Sequence, residues 1–495
     1  MVRVFWFPLP EWLRLLLLVR LLAYAVAMPA PQPAEQDLLA YLSTAAMLPD
    51  DDPFYHAPST FIDNPPGTIL RHRVLPGNIT LDNKNPIKPK AAWQLLYRSQ
   101  NSVGAPSVNV VTVIEPFNAK PKDLLSYSYF SDAAYNGCNP SVTLQVGTRE
   151  DNTFNQLQTA ILVEALSLGY YVSVADFGGI QAAFSSGLQA GYATLDSLRA
   201  VYQSGNITGI DSKPITTLHG YSSGAQAVGW ATELHPTYAP ELEIAGAAFG
   251  GLVPNLSALL EMPIYQSGER AFLGPPVILG LSHDYANLSS WLDDNLLPNR
   301  SAEYHMGERE CIDGNTARFA KKNLGLFFRH GYRSIFDEVP MSVVRSTGLM
   351  GERSTPTIPW YLYHAAGDDV SPQNLTDRVV QKHCANGADI LYERNPLPLN
   401  HRYECIFGIT GAYRWMRDRH EGKPVKRGCS TVNVSAESLK GTVQSLLVKG
   451  LLHSLYAYLG WDIGPDTPKV RLAELRGEPA GVEARARVGV KFGRR

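Results

Sequence analysis

The sequence is poor in charged residues and carries almost no net charge. Of its 495 residues, 18% are charged, whereas an average soluble domain has about 25%. The 44 Lys and Arg residues are nearly balanced by 46 Asp and Glu residues, which leaves a formal net charge of −2. Proteins that bind a phosphate backbone need a basic surface, and this composition does not supply one. We therefore predict no nucleic-acid partner.

Long apolar runs are absent beyond residue 28, where none reaches the roughly 18 to 20 apolar residues that a membrane-spanning helix requires. We therefore predict no stable transmembrane insertion. The N-terminus differs, because arginines precede two apolar runs and an A-x-A pattern ends at Ala27. These features predict a signal peptide over residues 1–27 and a secreted, extracellular mature protein. A signal anchor is the alternative, since Arg20 interrupts the apolar stretch.

Cysteine is scarce, and patterns typical of metal sites are missing. None of the five cysteines forms a C-x-x-C pair, and no His, Asp and Glu cluster has ligand spacing. We predict no metal and no cofactor. In a secreted chain five cysteines suggest two disulfides and one free thiol, and composition does not determine which cysteine stays free. The secretory route also agrees with seven N-x-S/T sequons, which begin at Asn78, Asn206, Asn255, Asn287, Asn299, Asn374 and Asn433.

From residue 108 onward, strand-like segments alternate with helix-like segments. Strands are predicted at 109–114, 124–130, 170–175, 215–218 and 244–249, with helices at 157–168, 193–202 and 225–234. Strands and helices that alternate in this way form βαβ units, whose strands are parallel. The sequence therefore predicts an α/β fold with a mainly parallel sheet covered by helices on both faces.

The alternation stops between residues 257 and 344, where the chain is irregular and helix-like, and then returns. A strand at 358–363, a helix at 376–383 and a strand at 389–393 follow. An insertion between two sheet strands is typical of a cap (lid) subdomain over the carboxyl edge of the sheet. We predict a catalytic domain made of residues 28–256 and 345–464, a mostly helical cap at 257–344, and a tail at 465–495 without fixed structure.

The sharpest motif is G-x-S-x-G at Gly220, Ser222 and Gly224. It follows the predicted strand at 215–218 and precedes the predicted helix at 225–234. This context is that of a nucleophile elbow, in which a tight strand-to-helix turn exposes a strained serine. The alternative is an ordinary turn rich in glycine and serine.

A serine nucleophile needs a base and an orienting acid, which follow it in the order acid, then histidine, in this type of fold. Asp368 and Asp369 come just after a predicted strand, and spacing alone does not separate them, although we favour Asp368. His401 lies after the next strand, in a predicted loop before a helix that begins near residue 406. His283 and its neighbour Asp284 are a competing pair, but they lie at the start of the insertion.

Several blocks of sequence resemble one known family. The run 220–242, GYSSGAQAVGWATELHPTYAPEL, resembles the nucleophile segment of the fungal secretory lipases, the Candida antarctica lipase A-like group. The resemblance recurs in SYSYFSD at 126–132, in YHAAGDDVSP at 363–372 and in NHRYECIFG at 400–408, and it spans about residues 40 to 462. It implies an α/β-hydrolase fold with a helical cap, and the hydrolysis of carboxylic esters, including acylglycerols.

The resemblance also implies roles for particular residues. Ser222 matches the family's nucleophile, Asp368 its acid and His401 its base. Asp132 and the backbone N–H of Ser223 match its oxyanion hole. Ser223 is itself a departure, because this group often has glycine after the nucleophile.

The same resemblance implies two disulfides, Cys138–Cys311 and Cys384–Cys429. Cys405, four residues after His401, would then be free. Its position beside a base could make it a second nucleophile, but we favour the role of a small buried side chain.

These observations lead to one hypothesis. The chain is expected to be a secreted, monomeric, cofactor-independent serine ester hydrolase, either a triacylglycerol lipase or a carboxylesterase, that acts through a Ser-Asp-His triad and an acyl-enzyme. Its partner is an ester or lipid substrate, encountered at a lipid–water interface. The main alternative is a short-chain esterase or an acyltransferase that acts on a small metabolite. A peptidase on the same fold, or a binding module descended from an inactive hydrolase, are further alternatives.

Overall fold

The computed structural model describes residues 47–152, 156, 158–434 and 442–467, and of residues 442–448 only the backbone. The predicted signal peptide, 1–27, lies outside the described residues, as do residues 468–495 of the predicted tail. Of the remaining tail residues, Thr467 is buried.

A ten-stranded sheet runs through the protein, in the order β1-β2-β3-β5-β4-β6-β7-β8-β9-β10. Its pairs β1–β2, β2–β3 and β3–β5 are antiparallel, and the six other pairs are parallel. The strands are Ile69–Val74 (β1), Ala91–Gln100 (β2), Pro106–Glu115 (β3), Lys120–Ser128 (β4), Tyr170–Ala175 (β5), Ile215–Tyr221 (β6), Ile244–Gly250 (β7), Trp360–Ala365 (β8), Ile390–Asn395 (β9) and Cys429–Asn433 (β10). The predicted mainly parallel α/β sheet is confirmed. Three strands, β1, β2 and β10, were not predicted from the sequence.

The α-helices, several of them only one turn long, are Pro140–Thr143 (α1), Thr159–Ser167 (α2), Gly187–Gln203 (α3), Gly205–Thr208 (α4), Ser223–Tyr238 (α5), Leu256–Leu260 (α6), Pro263–Gln266 (α7), Gly274–Asp284 (α8), Ala286–Asn295 (α9), Pro298–Tyr304 (α10), Ile312–Phe319 (α11), Glu338–Thr347 (α12), Gln373–Ala385 (α13), His401–His420 (α14) and Thr442–Tyr458 (α15). Short 3₁₀ helices lie at Phe61–Asp63, Asn136–Cys138, Glu150–Asn152, Ala271–Leu273, His305–Glu308, Leu324–Phe327 and Tyr332–Phe336.

Helices cover both faces of the sheet. Successive side chains of a strand point to opposite faces, so each strand contributes to both of the cores under these helices. In β8, Trp360 and Leu362 pack into the core that α3 and α5 cover. Tyr361 and Tyr363, in the same strand, pack into the core that α2 and α14 cover. The central strands are therefore buried on both sides, which agrees with the burial of every residue of β5 and β8.

Between β7 and β8 the chain forms helices α6 to α12 and no strand, and every residue of this stretch is described. These helices have a core of their own, centred on large side chains such as Phe319, Phe327 and Trp291. The stretch corresponds to the insertion predicted at 257–344, although its limits as a cap subdomain stay a prediction.

Two disulfides connect distant parts of the chain. Cys138 is bonded to Cys311, which ties the segment after β4 to the start of α11. Cys384, in α13, is bonded to Cys429, at the start of β10. Cys405 is free. The disulfide pairing implied by the resemblance is confirmed.

Candidate active site

Ser222 occupies the sharp turn between β6 and α5. Its φ of 57° and ψ of −123° are uncommon for a residue with a side chain, so the turn holds it in a strained conformation. Its N–H donates to the Gly250 carbonyl at 3.1 Å, and the Gln226 N–H donates to the Ser222 carbonyl at 3.0 Å. These bonds tie the turn to β7 on one side and to α5 on the other.

The glycines that flank Ser222 are required by close backbone contacts. A Cβ at Gly220 would lie 2.3 Å from the Gly224 carbonyl oxygen, and a Cβ at Gly224 would lie 2.0 Å from the Ser128 carbonyl oxygen. The G-x-S-x-G pattern therefore has a physical basis: α5 can approach β6 and β4 this closely only without side chains at both positions.

His401 is the first residue of α14, whose N-terminus is capped by the Asn400 side chain. The loop position predicted for His401 is therefore wrong. The helix begins five residues before the predicted residue 406, because Asn400 accepts a hydrogen bond from the Tyr403 N–H at 3.1 Å. The Tyr221 hydroxyl donates to the His401 carbonyl at 2.6 Å, which joins the first turn of α14 to the strand before Ser222.

The imidazole of His401 has one partnered and one unpartnered nitrogen. Its Nδ1 lies 2.7 Å from Asp368 Oδ2. Its Nε2 is buried and forms no hydrogen bond. Because Nδ1 donates to a carboxylate, the neutral ring has its acceptor at Nε2, where a base would take a proton.

Asp368 is held by three further contacts in the turn after β8. Its Oδ1 accepts the N–H groups of Val370 and Ser371 at 2.9 and 2.8 Å. Its Oδ2 lies 3.2 Å from Nε2 of His364, which also contacts the Ser371 carbonyl at 2.8 Å. Burial opposes ionisation of this carboxyl, but the adjacent His401 and His364 hold the pKa of Asp368 well below its usual range.

Asp369 faces a different group. Its Oδ1 accepts the backbone N–H of His401 at 3.1 Å, and its Oδ2 pairs with Arg270 in the insertion. The structure thus brings Asp368, and not Asp369, to the imidazole. The competing pair does not reach this site, since Asp284 accepts from the Ser102 N–H and His283 pairs with Glu308.

Asp132 lies beside the residue that follows the serine. Its φ is 49°, and its Oδ1 accepts a hydrogen bond from Ser223 Oγ at 2.5 Å. Burial raises the pKa of Asp132, while the Ser223 hydrogen bond and the charges of His401 and Arg270 act in the opposite direction. The net effect is a raised pKa, so this carboxyl keeps its proton to a higher pH than an ordinary aspartate, and the protonated form can donate a hydrogen bond.

Two small cavities, of about 40 Å³ each, meet at Ser222 and Asp132. The cap-side cavity is lined by Ser223 and by apolar side chains of the insertion such as Leu259 and Leu260. The histidine-side cavity contains His401 and Arg270. Each cavity has room for a few water molecules only, so in this conformation the site is closed to an ester with a long chain.

Two polar residues of the site, Arg270 and His364, were not predicted from the sequence. Arg270 lies in the irregular insertion, where no sequence motif marks it as a site residue. His364 is a strand residue, and its place four residues before Asp368 was the signal that it belongs to the acid's surroundings. Within the described ranges no three His, Cys, Asp or Glu side chains are grouped as metal ligands, and no helix there is long and apolar enough to cross a membrane.

The sheet order and the strained serine after a central parallel strand define an α/β-hydrolase. Comparison with known proteins agrees with this class. The secretory lipase family profile matches residues 144–428. Lipase A of Arthroderma benhamiae is 33% identical over 88% of this chain and 93% of its own. Lipase 1 of Candida albicans is 33% identical over 84% of this chain and 90% of its own.

Among solved structures, the closed state of Candida antarctica lipase A superposes with a TM-score of 0.74 at 26% identity, over 86% of this chain and all of that one. The chain belongs to the secretory lipase family, and it is a lipase-like carboxylic ester hydrolase. The predicted family, fold and class of enzyme are thereby confirmed.

Proposed function

We propose that this chain is a secreted lipase that cleaves carboxylic esters through an acyl-enzyme on Ser222. One observation carries the proposal. Nδ1 of His401 is hydrogen-bonded to Asp368, Nε2 of His401 has no hydrogen-bond partner, and His401 and Ser222 line the same cavity. In this arrangement His401 takes the proton of Ser222 as the serine oxygen attacks the ester carbonyl.

The remaining groups have complementary roles. Asp368 keeps the Nδ1–H tautomer of His401 and stabilises the imidazolium. The developing oxyanion accepts hydrogen bonds from the Ser223 N–H, at the N-terminus of α5, and from the Asp132 carboxyl. His401 then returns its proton to the alcohol that leaves. Water, activated by the same histidine, finally hydrolyses the acyl-enzyme.

Active-site labelling and mutation test this proposal. A fluorophosphonate probe is expected to label the wild-type protein, and Ser222→Ala is expected to abolish labelling and to lower kcat by a factor on the order of 10⁶ while the fold is retained. Near-wild-type ester hydrolysis by Ser222→Ala would refute the assignment.

The adjacent aspartates form a matched pair of variants. Asp368→Asn should lower kcat by about 10⁴, because the amide stabilises the wrong histidine tautomer. Asp369→Asn should cost less than about ten-fold, because it keeps a side-chain oxygen for the His401 N–H. A larger loss in Asp369→Asn than in Asp368→Asn would reverse the assignment of the acid.

A short-chain esterase is the second candidate, and the small volume of the cap-side cavity favours it. A p-nitrophenyl ester series from acetate to palmitate separates the two. A maximum at long chains supports a lipase whose insertion moves to admit substrate, and a steady decline beyond butyrate supports the esterase.

We also propose that the mature chain is an extracellular monomer after removal of residues 1–27. Two disulfides support an oxidising route. N-terminal sequencing of the secreted protein and light scattering test these two statements, and a retained N-terminus or a dimer mass would contradict them.

A further inference from the structure

A third cavity, of about 620 Å³, lies among helices α2, α14 and α15. We name it the outer cavity. It is lined by apolar side chains such as Ile161, Ile409 and Leu451, and the catalytic steps above do not use it. Its volume is within the range of small-molecule sites, whereas the two cavities beside Ser222 are far smaller.

The outer cavity adjoins the candidate active site. Three residues, Phe130, Arg402 and Cys405, line both the outer cavity and the histidine-side cavity. Cys405 has the smallest side chain of the three. The histidine-side cavity and the outer cavity are therefore neighbours, and the side chains that separate them include the small side chain of Cys405.

The direction of an ester in the site follows from which groups line each side. The cap-side cavity contains Ser223, whose N–H faces the oxyanion, but not His401. The histidine-side cavity contains His401 but not Ser223. Since the histidine protonates the leaving alcohol, the alcohol oxygen has to lie on the histidine side, and the acyl chain then lies in the cap-side cavity.

We propose that the outer cavity binds the apolar chain attached to the alcohol oxygen of the substrate. This inference rests on the proposed function and specifies its substrate class: esters whose alcohol part carries a long apolar chain, such as a fatty alcohol or a glycerol that bears further acyl chains. Burial of each methylene in the cavity raises kcat/KM for such esters several-fold.

Gly450, on α15, offers a clean way to fill the cavity. It lines the cavity, and the nearest atom to a Cβ built there is Glu164 Oε2, at an ordinary contact distance of 3.7 Å. Gly450→Phe therefore adds volume without a backbone clash. Gly450→Ala is the matched control, because it also removes the glycine from the helix but does not fill the space.

The experiment varies the alcohol and acyl chains separately. Initial rates are measured on ethyl butyrate, decyl butyrate and ethyl decanoate in one detergent. In Gly450→Phe, the ratio of kcat/KM for decyl butyrate to that for ethyl butyrate should fall by about ten-fold or more, and in Gly450→Ala by less than about two-fold. The ratio for ethyl decanoate to ethyl butyrate should stay constant in both variants.

Two outcomes overturn the proposal. An equal fall in both ratios would mean that the cavity serves adsorption to a lipid surface, and a fall only with ethyl decanoate would mean that it takes the acyl chain. Calorimetry of 1-decanol with Ser222→Ala gives a readout that needs no turnover. Binding should be lost when Gly450→Phe is added, and binding that persists contradicts the proposal. Absent fluorophosphonate labelling would instead refute the proposed function.

Discussion

Asp132 provides the most demanding test of how the oxyanion is stabilised. One carboxyl oxygen accepts the Ser223 hydroxyl at 2.5 Å, which leaves the other oxygen to carry a proton. The neutral acid would donate to the oxyanion, whereas the ionised form would repel it. Asp132→Ala removes this donor, and loss of one donor costs about 10² to 10³ in kcat, or roughly 3 to 4 kcal/mol. Asp132→Asn keeps an N–H donor of similar size, so we expect it within about ten-fold of wild type.

The pH dependence separates this role from a purely structural one. As pH rises through the raised pKa of Asp132, the wild type loses its donor, so its kcat should fall above that pKa. Asp132→Asn does not titrate and should keep its kcat there. Ser223→Ala removes a hydrogen bond that favours the ionised carboxyl, so the pKa of Asp132 should rise further and the fall should move to higher pH.

The assay is pH-stat titration of ethyl butyrate between about pH 6 and 10. The wild type, Asp132→Ala, Asp132→Asn and Ser223→Ala are compared at saturating substrate, with circular dichroism to verify the fold. The reasoning is refuted if Asp132→Ala loses less than about three-fold in kcat, or if Asp132→Asn shows the same alkaline fall as the wild type.

Three other expectations concern stability. Gly224→Ala places a Cβ against the Ser128 carbonyl and should lower the free energy of unfolding by about 1 to 3 kcal/mol, with an unchanged melting temperature as the contrary result. Burial raises the pKa of Glu404 to about 7, so the folded state holds a proton that the unfolded chain releases near its ordinary pKa of about 4.3. The free energy of unfolding should therefore fall between these two pH values, by up to about 3 kcal/mol. Urea titrations at about pH 5 and 8 measure this fall, and it should be smaller in Glu404→Gln. Replacing Cys138 and Cys311 by serine opens a link of 173 residues and should cost about 4 to 5 kcal/mol in denaturant unfolding; a cost below about 1 kcal/mol would contradict the chain-entropy argument.

The parallel half of the sheet could be predicted because its sequence and its environment agree. The predicted strand 170–175 coincides with β5, since a strand buried on both faces is rich in apolar and aromatic side chains. The G-x-S-x-G turn could also be predicted, because its residue pattern and the strand and helix on either side of it lie within a short segment. In contrast, β2 mixes polar residues such as Gln94 and Arg98 with apolar ones, and Gln94 is buried through a hydrogen bond to the Ser141 carbonyl, 47 residues away.

The details of the site depend on contacts between distant segments. Asp368 and Asp369 are adjacent, and what distinguishes them is the conformation of a turn whose N–H groups point at Asp368. The start of α14 was misplaced although Asn400 is a typical capping residue, because the polar sequence after it resembles a loop. The contact between Arg270 and Asp369 joins residues 99 positions apart, and no local pattern indicates it.

The order of the cysteines along the chain has a consequence for biosynthesis. As the chain emerges from the N-terminus, Cys138 and Cys311 appear first, and they are native partners, so no wrong intramolecular pairing is available until Cys384 follows. Ambiguity arises only afterwards, when Cys405 appears before Cys429, the native partner of Cys384. In the folded protein, burial and the neighbouring Glu404 raise the pKa of the Cys405 thiol to about 12, which suppresses the thiolate that disulfide exchange requires. Once α14 has packed into the fold, Cys405 therefore no longer competes for Cys384, and pairing errors should arise only between the synthesis of Cys384 and that folding step.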